Sequence, residues 1–280
     1  MSIITYFHND LDGRASAAIV YRKFGNVVKF IECSYKDTID LSIIKPQDKV
    51  IIVDFSFRPE IMEKVYSVTS DVIWIDHHKT ALDYKYSKIP KGIRDIKYSG
   101  CELTWKYYYP TEDMPTFIRL IGDMDMWRWK YNDTMAFTTG LLLYDQTPNS
   151  KLWLSLFREY ENDENSYFSE LTQQGYYCVK FRENFCKEYL EQYGFETKFE
   201  GYTCFALGLA EFGSLAFGDK IKKYDILISF EFDGTNWTVG LYSEKENIDV
   251  GKLAQKYGGG GHKGAAGFTV KELPFRKDSL

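Results

Sequence analysis

Four short apolar runs punctuate the first 80 residues, at positions 3–7, 27–31, 50–53 and 72–75. Each is rich in β-branched residues, so each predicts a strand, and the last three read as continuous apolar stretches buried on both faces. Between the first two, Ala15, Ala17, Ala18, Ile19 and Tyr21 predict a helix that stops near Gly25, a residue favoured just past a helix end. Pro59 opens a second helix, where its missing N–H costs nothing. Strands alternating with helices predict an α/β fold, a doubly wound and mostly parallel sheet.

Further along, Ser99 and Glu102 have the spacing of a capping box, and the stretch from there to about residue 160 reads as helical. Phe168, Leu171, Cys178, Phe181, Phe185 and Tyr189 recur at three-, four- and seven-residue intervals, the apolar face of one long helix over about 165–193. Apolar runs at 202–207, 226–232 and 237–242 then predict strands of a second, smaller α/β domain, with Asp249 capping a short helix that ends at Tyr257. The expected organisation is an N-terminal domain over 1–160, a linker helix over 161–195 and a C-terminal domain over 196–280.

Composition narrows the partners. The 280 residues carry 35 basic and 40 acidic side chains, a formal net charge of −5. That argues against wrapping long duplex nucleic acid through a basic face, which needs many Lys and Arg contacts to phosphate, and leaves small anionic substrates open. No apolar run reaches the roughly 18–20 residues that cross a bilayer, and the opening MSIITYFHNDLDG lacks the order of a signal peptide, so a cytoplasmic location is expected. Cys33, Cys101, Cys178, Cys186 and Cys204 contain no CxxC pair and are expected as buried thiols.

The four histidines all fall in short clusters with acidic or glycine neighbours: His8 in HNDLDG, His77 and His78 in IDHHKT, and His262 in GGGGHKGAAG. His8, Asp10 and Asp12 alternate at spacing two at a strand end, so they can converge on one point. Asp54 follows the third predicted strand, and Asp76-His77-His78 follows the fourth. All then lie at the carboxyl edge of the sheet, where open α/β folds bind ligands. Asp123 and Asp125, in LIGDMDMW, could complete the set, with one of them left to cap or to pair with Arg128. Imidazole mixed with carboxylate suits Mn²⁺; carboxylates alone would suit Mg²⁺. Six candidate ligands exceed what one zinc uses and fit two ions about 3.5–4 Å apart, which can hold a hydroxide for phosphoryl displacement. Consecutive glycines 258–261 let a backbone approach an anion closely, with His262 adding a hydrogen bond or charge.

These residues resemble the DHH family of phosphoesterases, whose name describes Asp76-His77-His78. HNDLDG, VDF, IDHHKTA and GDMDMW look like the four N-terminal motifs in order, and GGGGHKGAAGF looks like the signature of the DHH-associated C-terminal domain. The resemblance implies a two-Mn²⁺ phosphohydrolase, with Mg²⁺ or Co²⁺ as possible substitutes, working between two domains. It implies that His8 and Asp10 hold one ion, that Asp12, His77 and Asp123 hold the other, and that Asp54 bridges them as a catalytic group. His78 would face the scissile phosphate, and Asp76 would orient an imidazole. Gly259, Gly260, Gly261 and His262 would hold the far end of the substrate. Arg128, beside the proposed ligand, is a candidate phosphate contact.

Within the family the IDHHKTAL wording looks like the oligoribonuclease (nanoRNase) branch, which implies hydrolysis of short oligoribonucleotides to mononucleotides and allows a homodimer. A longer exonuclease branch, acting on single-stranded DNA, ranks below it. The alternatives are a cyclic mono- or dinucleotide phosphodiesterase, a pAp phosphatase, or a nucleotide-binding regulator without turnover. Many members have arginine within an S-L-R-S strand where this chain reads Gly240-Leu241-Tyr242-Ser243, which weighs against pAp and leaves Tyr242 as a strand residue or a base-stacking ring.

Overall fold

The computed structural model describes residues 2–35 and 38–277, apart from the side chain of Thr80. Two compact units divide the chain, Met1–Val179 and Lys180–Leu280, and each is built on one sheet.

The first unit opens with β1 (Ile3–His8), α1 (Leu11–Phe24), β2 (Val28–Cys33), β3 (Lys49–Val53), α2 (Pro59–Val68) and β4 (Val72–Ile75). The four strands lie in the order β2-β1-β3-β4, every pair parallel. Alternation along the strands splits the core in two. Ile4, Tyr6, Val50, Ile52 and Trp74 pack with Met62 and Val65 of α2. Ile3, Phe7, Ile51, Val53 and Ile75 pack on the other face with Ala17 and Val20 of α1. This is the doubly wound sheet that the apolar runs predict. The chain leaves β1 toward β2 and returns to place β3 on its other side, so the carboxyl ends of β1 and β3 flank a topological switch point, the usual ligand crevice of such sheets.

The helical stretch resolves into α3 (Gly100–Tyr108), α4 (Thr116–Asp125), α5 (Thr134–Leu141) and α6 (Lys151–Asn162). The expected capping box is present: the Glu102 N–H donates to Ser99 Oγ and the Ser99 N–H to Glu102 Oε2. Trp105, Phe117, Ile118, Phe137, Trp153 and Leu171 form one core beneath these helices.

The long helix α7 runs Ser166–Tyr193. Its predicted apolar face is buried only toward its ends, by Leu171 in the first core and by Cys186 and Leu190 in another. Phe181 and Phe185 in the middle are exposed, and their rings stack along the helix at 6.3 Å. Periodicity reports which side chains share a face, and this one is uncovered over part of its length.

In the second unit β5 (Phe195–Phe199) and β6 (Tyr202–Leu207) precede a short α8 (Lys220–Lys223). They are followed by β7 (Ile226–Phe232), β8 (Trp237–Tyr242), α9 (Val250–Gln255), β9 (Gly260–Gly261) and β10 (Ala265–Val270). The sheet order is β5-β6-β7-β8-β10-β9, with β6 and β7 parallel and the other pairs antiparallel. Three strands lie where the apolar runs put them; β5, β9 and β10 carry no such run. The Asp249 side chain caps α9 by accepting from the Lys252 N–H at 3.1 Å. Among the described residues no helix is long and apolar enough to cross a membrane; Cys33, Cys101, Cys186 and Cys204 are buried, whereas Cys178, also expected to be, is only half-buried on α7.

Candidate metal centre

Asp54 sits at the switch point, immediately after β3, with φ at 51°. Its N–H donates to the Ile75 carbonyl at 2.9 Å, which carries the β3–β4 pairing one residue further. The carboxylate is 1% exposed, and neither oxygen receives a hydrogen bond from the described residues. Imidazoles surround it instead. His77 Nε2 lies 3.1 Å from Oδ1, while His8 Nδ1 and His78 Nδ1 each lie 4.0 Å from one of its oxygens.

Among the described residues of the first unit, three groups bring ligand atoms within 4.8 Å of one another: His8 with Asp10 and Asp54, Asp54 with His77 and His78, and Asp12 with His77 and Asp125. Local folding explains each position. Asp10 caps α1 by accepting from the Gly13 N–H at 2.9 Å, and its other oxygen holds His8 Nδ1 at 2.6 Å. Asp12, in the first turn of α1, accepts the Gly100 and Cys101 N–H groups at 2.6 and 2.9 Å, the free amides at the start of α3. Asp76 Oδ1 accepts the backbone N–H groups of His77 and His78 and contacts His78 Nδ1 at 2.7 Å. With Nδ1 held by Asp76, Nε2 is the His78 nitrogen left for another partner.

Asp123, expected among the ligands, does not join these groups. Its carboxylate accepts from the Lys130 and Tyr131 N–H groups and from Thr134 Oγ1, the last at 2.6 Å, so it stitches the segment after α4 to the head of α5. Asp125 stands in the cluster instead, with Oδ2 3.6 Å from His77 Nε2. On a helix, residues two apart point to nearly opposite sides, so only one of the two can face the sheet edge. Arg128, expected as a phosphate contact, is engaged on both prongs by Glu102.

Protonation follows from this crowding. Burial first, and then the negative charges of Asp12, Asp10, Asp125 and Asp76, hold the Asp54 carboxyl well above the ordinary range. Burial and the charges of Asp12 and Asp10 push Asp125 up to about 9. Burial lowers His77. For His78 burial also pulls downward, but the hydrogen bond and charge of Asp76 outweigh it and the net shift is upward. For Asp10 burial pulls upward, but the hydrogen bond and charge of His8 together with the Gly13 N–H outweigh it, so the net shift is downward.

A buried carboxyl with two unbonded oxygens among further acids is costly unless something cationic or a proton fills the gap. The unbonded oxygens of Asp54, with Asp125 Oδ2 also unbonded, fit divalent cations. His8 and Asp10 would hold one, Asp12, His77 and Asp125 a second, with Asp54 between them. Bound there, such ions would activate water and offset negative charge on a ligand.

Residues 2–122 match the DHH family, N-terminal domain, and residues 217–280 match the DHHA1 domain. The chain carries a DHH-family N-terminal domain and a DHHA1 domain. It is 26% identical over 308 aligned positions to uncharacterized protein R106 of Acanthamoeba polyphaga mimivirus, covering 99% of this chain and 70% of the relative. It is 23% identical to oligoribonuclease NrnB of Bacillus subtilis (strain 168), covering 95% and 72%. Among solved structures, the DHH domain of a member of a ribosomal-protein family aligns with a TM-score of 0.62 at 13% identity, over 96% of this chain and 82% of that one. A pGpG-specific phosphodiesterase from Vibrio cholerae aligns at 0.56 and 15%, over 97% and 94%. At these identities the two structures share the fold.

In the DHHA1 domain the glycine run is ordered. Gly260 and Gly261 form β9 and pair with Gly267 and Ala266 of β10, and a Cβ on Gly259 would stand 2.1 Å from the Gly267 carbonyl oxygen. His262 lies exposed in the turn, its N–H donating to the Ala265 carbonyl at 2.8 Å. Tyr242 pairs across the sheet with Ala265 and sets its hydroxyl 3.4 Å from Ser229 Oγ.

Two contributors to this DHH-family centre lie outside the sequence reading. Glu102 both completes the α3 cap and fixes Arg128, and only the cap half had a local signal. Gly100 opens α3 against the sheet edge, a close approach that no local pattern announces.

Proposed function

We propose that this chain is a divalent-metal-dependent phosphodiesterase that hydrolyses short oligoribonucleotides to mononucleotides. Asp54 carries the reading: a buried carboxylate that receives no hydrogen bond from the described residues, with His8 and Asp10, and His77 with Asp12 and Asp125, gathered in the ligand groups around it. The mixed imidazole and carboxylate donors favour Mn²⁺, with Mg²⁺ or Co²⁺ as substitutes. His78, held by Asp76 and biased toward its charged form, suits the negative charge of a phosphodiester. In the DHHA1 domain the N–H groups of Gly258, Gly259 and His262 are already bonded within the domain, so the exposed His262 imidazole, and not the glycine backbone, is the group available to a phosphate or base. The similarity to an oligoribonuclease over nearly the whole chain supports the substrate class.

The test is turnover of labelled di- to pentaribonucleotides with Mn²⁺, beside a cyclic dinucleotide and pAp at equal concentration. Release of mononucleotides fastest from the linear substrates is expected. Intact oligoribonucleotides, or faster turnover of either competitor, would overturn the substrate assignment.

A further inference from the structure

The segment after α4 contains two of the five non-glycine residues with positive φ among the described residues: Trp127 at 53° and Trp129 at 51°. A bulky side chain in the left-handed region is strained, and such outliers persist only where the surroundings over-determine them. Here they do. Arg128, between the two tryptophans in sequence, is held on both prongs by Glu102. The Trp127 and Arg128 N–H groups donate to the carbonyls of Met124 and Asp123 at 2.9 and 2.8 Å, and the Asp123 carboxylate takes the N–H groups of Lys130 and Tyr131. Two helices and two buried acids thus clamp the loop.

The ring so presented is not used by the core. Trp127 is 55% exposed, with Trp129 packed edge-on against it at 4.8 Å. Indole is the side chain with most to gain from burial, so strain plus exposure is not accounted for by stability. Its place is informative: Trp127 follows the candidate ligand Asp125 by two residues, so their Cα atoms lie at most roughly 7.6 Å apart and the exposed ring belongs to the segment that borders the metal centre.

We propose that Trp127 is the base-stacking surface of this site, taking the nucleobase of the nucleotide whose phosphate is bound at the metal centre. This rests on the reading of the site as a nucleotide phosphodiesterase. Stacking on an indole accepts every base, since each has a π-face, so the contact gives affinity for nucleotides without sequence preference. The clamp supplies rigidity: an indole already fixed in place loses little freedom when a base lands on it.

The experiment compares wild type with Trp127→Ala, Trp127→Phe and Trp127→Gly, all metal-loaded, the last relieving the backbone strain while removing the ring. On pApA, the Ala and Gly variants should raise KM about 5- to 100-fold with kcat within about threefold, and Phe should restore most of the affinity. By calorimetry, AMP should bind wild type and lose the same factor in the Ala and Gly variants, whereas ribose 5-phosphate, which lacks the base, should bind all four proteins alike. Where wild type turns over pApA, an unchanged KM in Trp127→Ala would overturn the assignment. Should pApA not be cleaved, the functional reading falls by itself. AMP binding then decides about Trp127, and equal affinity in wild type and Trp127→Ala, or no affinity in wild type, overturns it.

Discussion

A Cβ placed on Gly100 would stand 2.4 Å from the Cβ of Asp54 and 2.7 Å from its Oδ1. Helix α3 therefore begins hard against the carboxylate at the centre of the site, and the same Gly100 N–H is bonded to Asp12. Asp54 is already in the left-handed region and has little room to retreat. Gly100→Ala is expected to cost about 1–3 kcal/mol through overpacking and to weaken Mn²⁺ binding at least tenfold by calorimetry, while far-ultraviolet dichroism stays native. Metal affinity within twofold of wild type would show that Asp54 does not need this spacing.

Asp54→Asn should separate stability from function. Without metal, the wild-type carboxyl must be protonated or buried charged among other acids, a penalty that a neutral amide of the same shape removes. The metal-free variant is expected to melt about 2–4 °C higher, corresponding to ~1 kcal/mol. Added Mn²⁺ should raise the midpoint of wild type and leave the variant nearly unmoved, and phosphodiesterase turnover should fall at least a hundredfold. A metal-induced shift of wild-type size in Asp54→Asn would argue against a shared ligand.

Asp123 and Asp125 are expected to fail in different ways. Asp123→Asn leaves at least one of the Lys130 and Tyr131 N–H groups facing an amide donor, at a cost of about 1–3 kcal/mol, but should keep metal stoichiometry. Asp125→Asn should lose metal affinity and keep the fold. pH adds a second reading. A carboxyl raised to about 9 in the folded state contributes its full stability below the unfolded value and loses it as pH climbs through the folded one. Metal-free wild type should therefore lose stability to urea between about pH 5 and pH 9, and Asp125→Asn should flatten that slope. An unaltered slope would place the titration elsewhere.

Glu159 gives the opposite sign. Burial pulls its pKa upward, but the N–H groups of Tyr167 and Phe168 and the Ser166 hydroxyl outweigh it, and the carboxyl titrates below its ordinary value. Its contribution to the start of α7 is present above the unfolded carboxylate range and is lost as pH falls through the folded pKa. Glu159→Gln is expected to cost about 1–2 kcal/mol at pH 7, a gap that narrows toward pH 3 in urea melts. A gap independent of pH would mean that the ionised form is not what matters.

Much of the first unit was legible because its signals are local. A run such as Val72–Ile75 needs only its own β-branched side chains to declare a buried strand, and Ser99 and Glu102 close their cap within one turn. The order of His8, Asp54 and Asp76-His77-His78 on successive strand ends was equally readable, since a parallel sheet brings all its carboxyl ends to one edge. In the second unit β5 alternates too briefly to stand out, and β9 and β10 are made largely of glycine and alanine, so their pairing partners across the sheet define them.

Short segments of the chain were enough to specify the parallel sheet, a second sheet beyond it and the set of acids and imidazoles available at the first sheet's edge, because strand period, caps and strand-end position are local properties. Packing settled the rest: that Asp125 and not Asp123 faces the edge, that both oxygens of Asp54 stay unbonded, and that Gly100 leaves room for them. It also left Phe181, on a periodic apolar face, uncovered. Those outcomes depend on contacts such as Asp12 to Gly100, 88 residues apart in the chain, and on the direction in which a helix end meets a sheet, which no window of neighbouring residues contains.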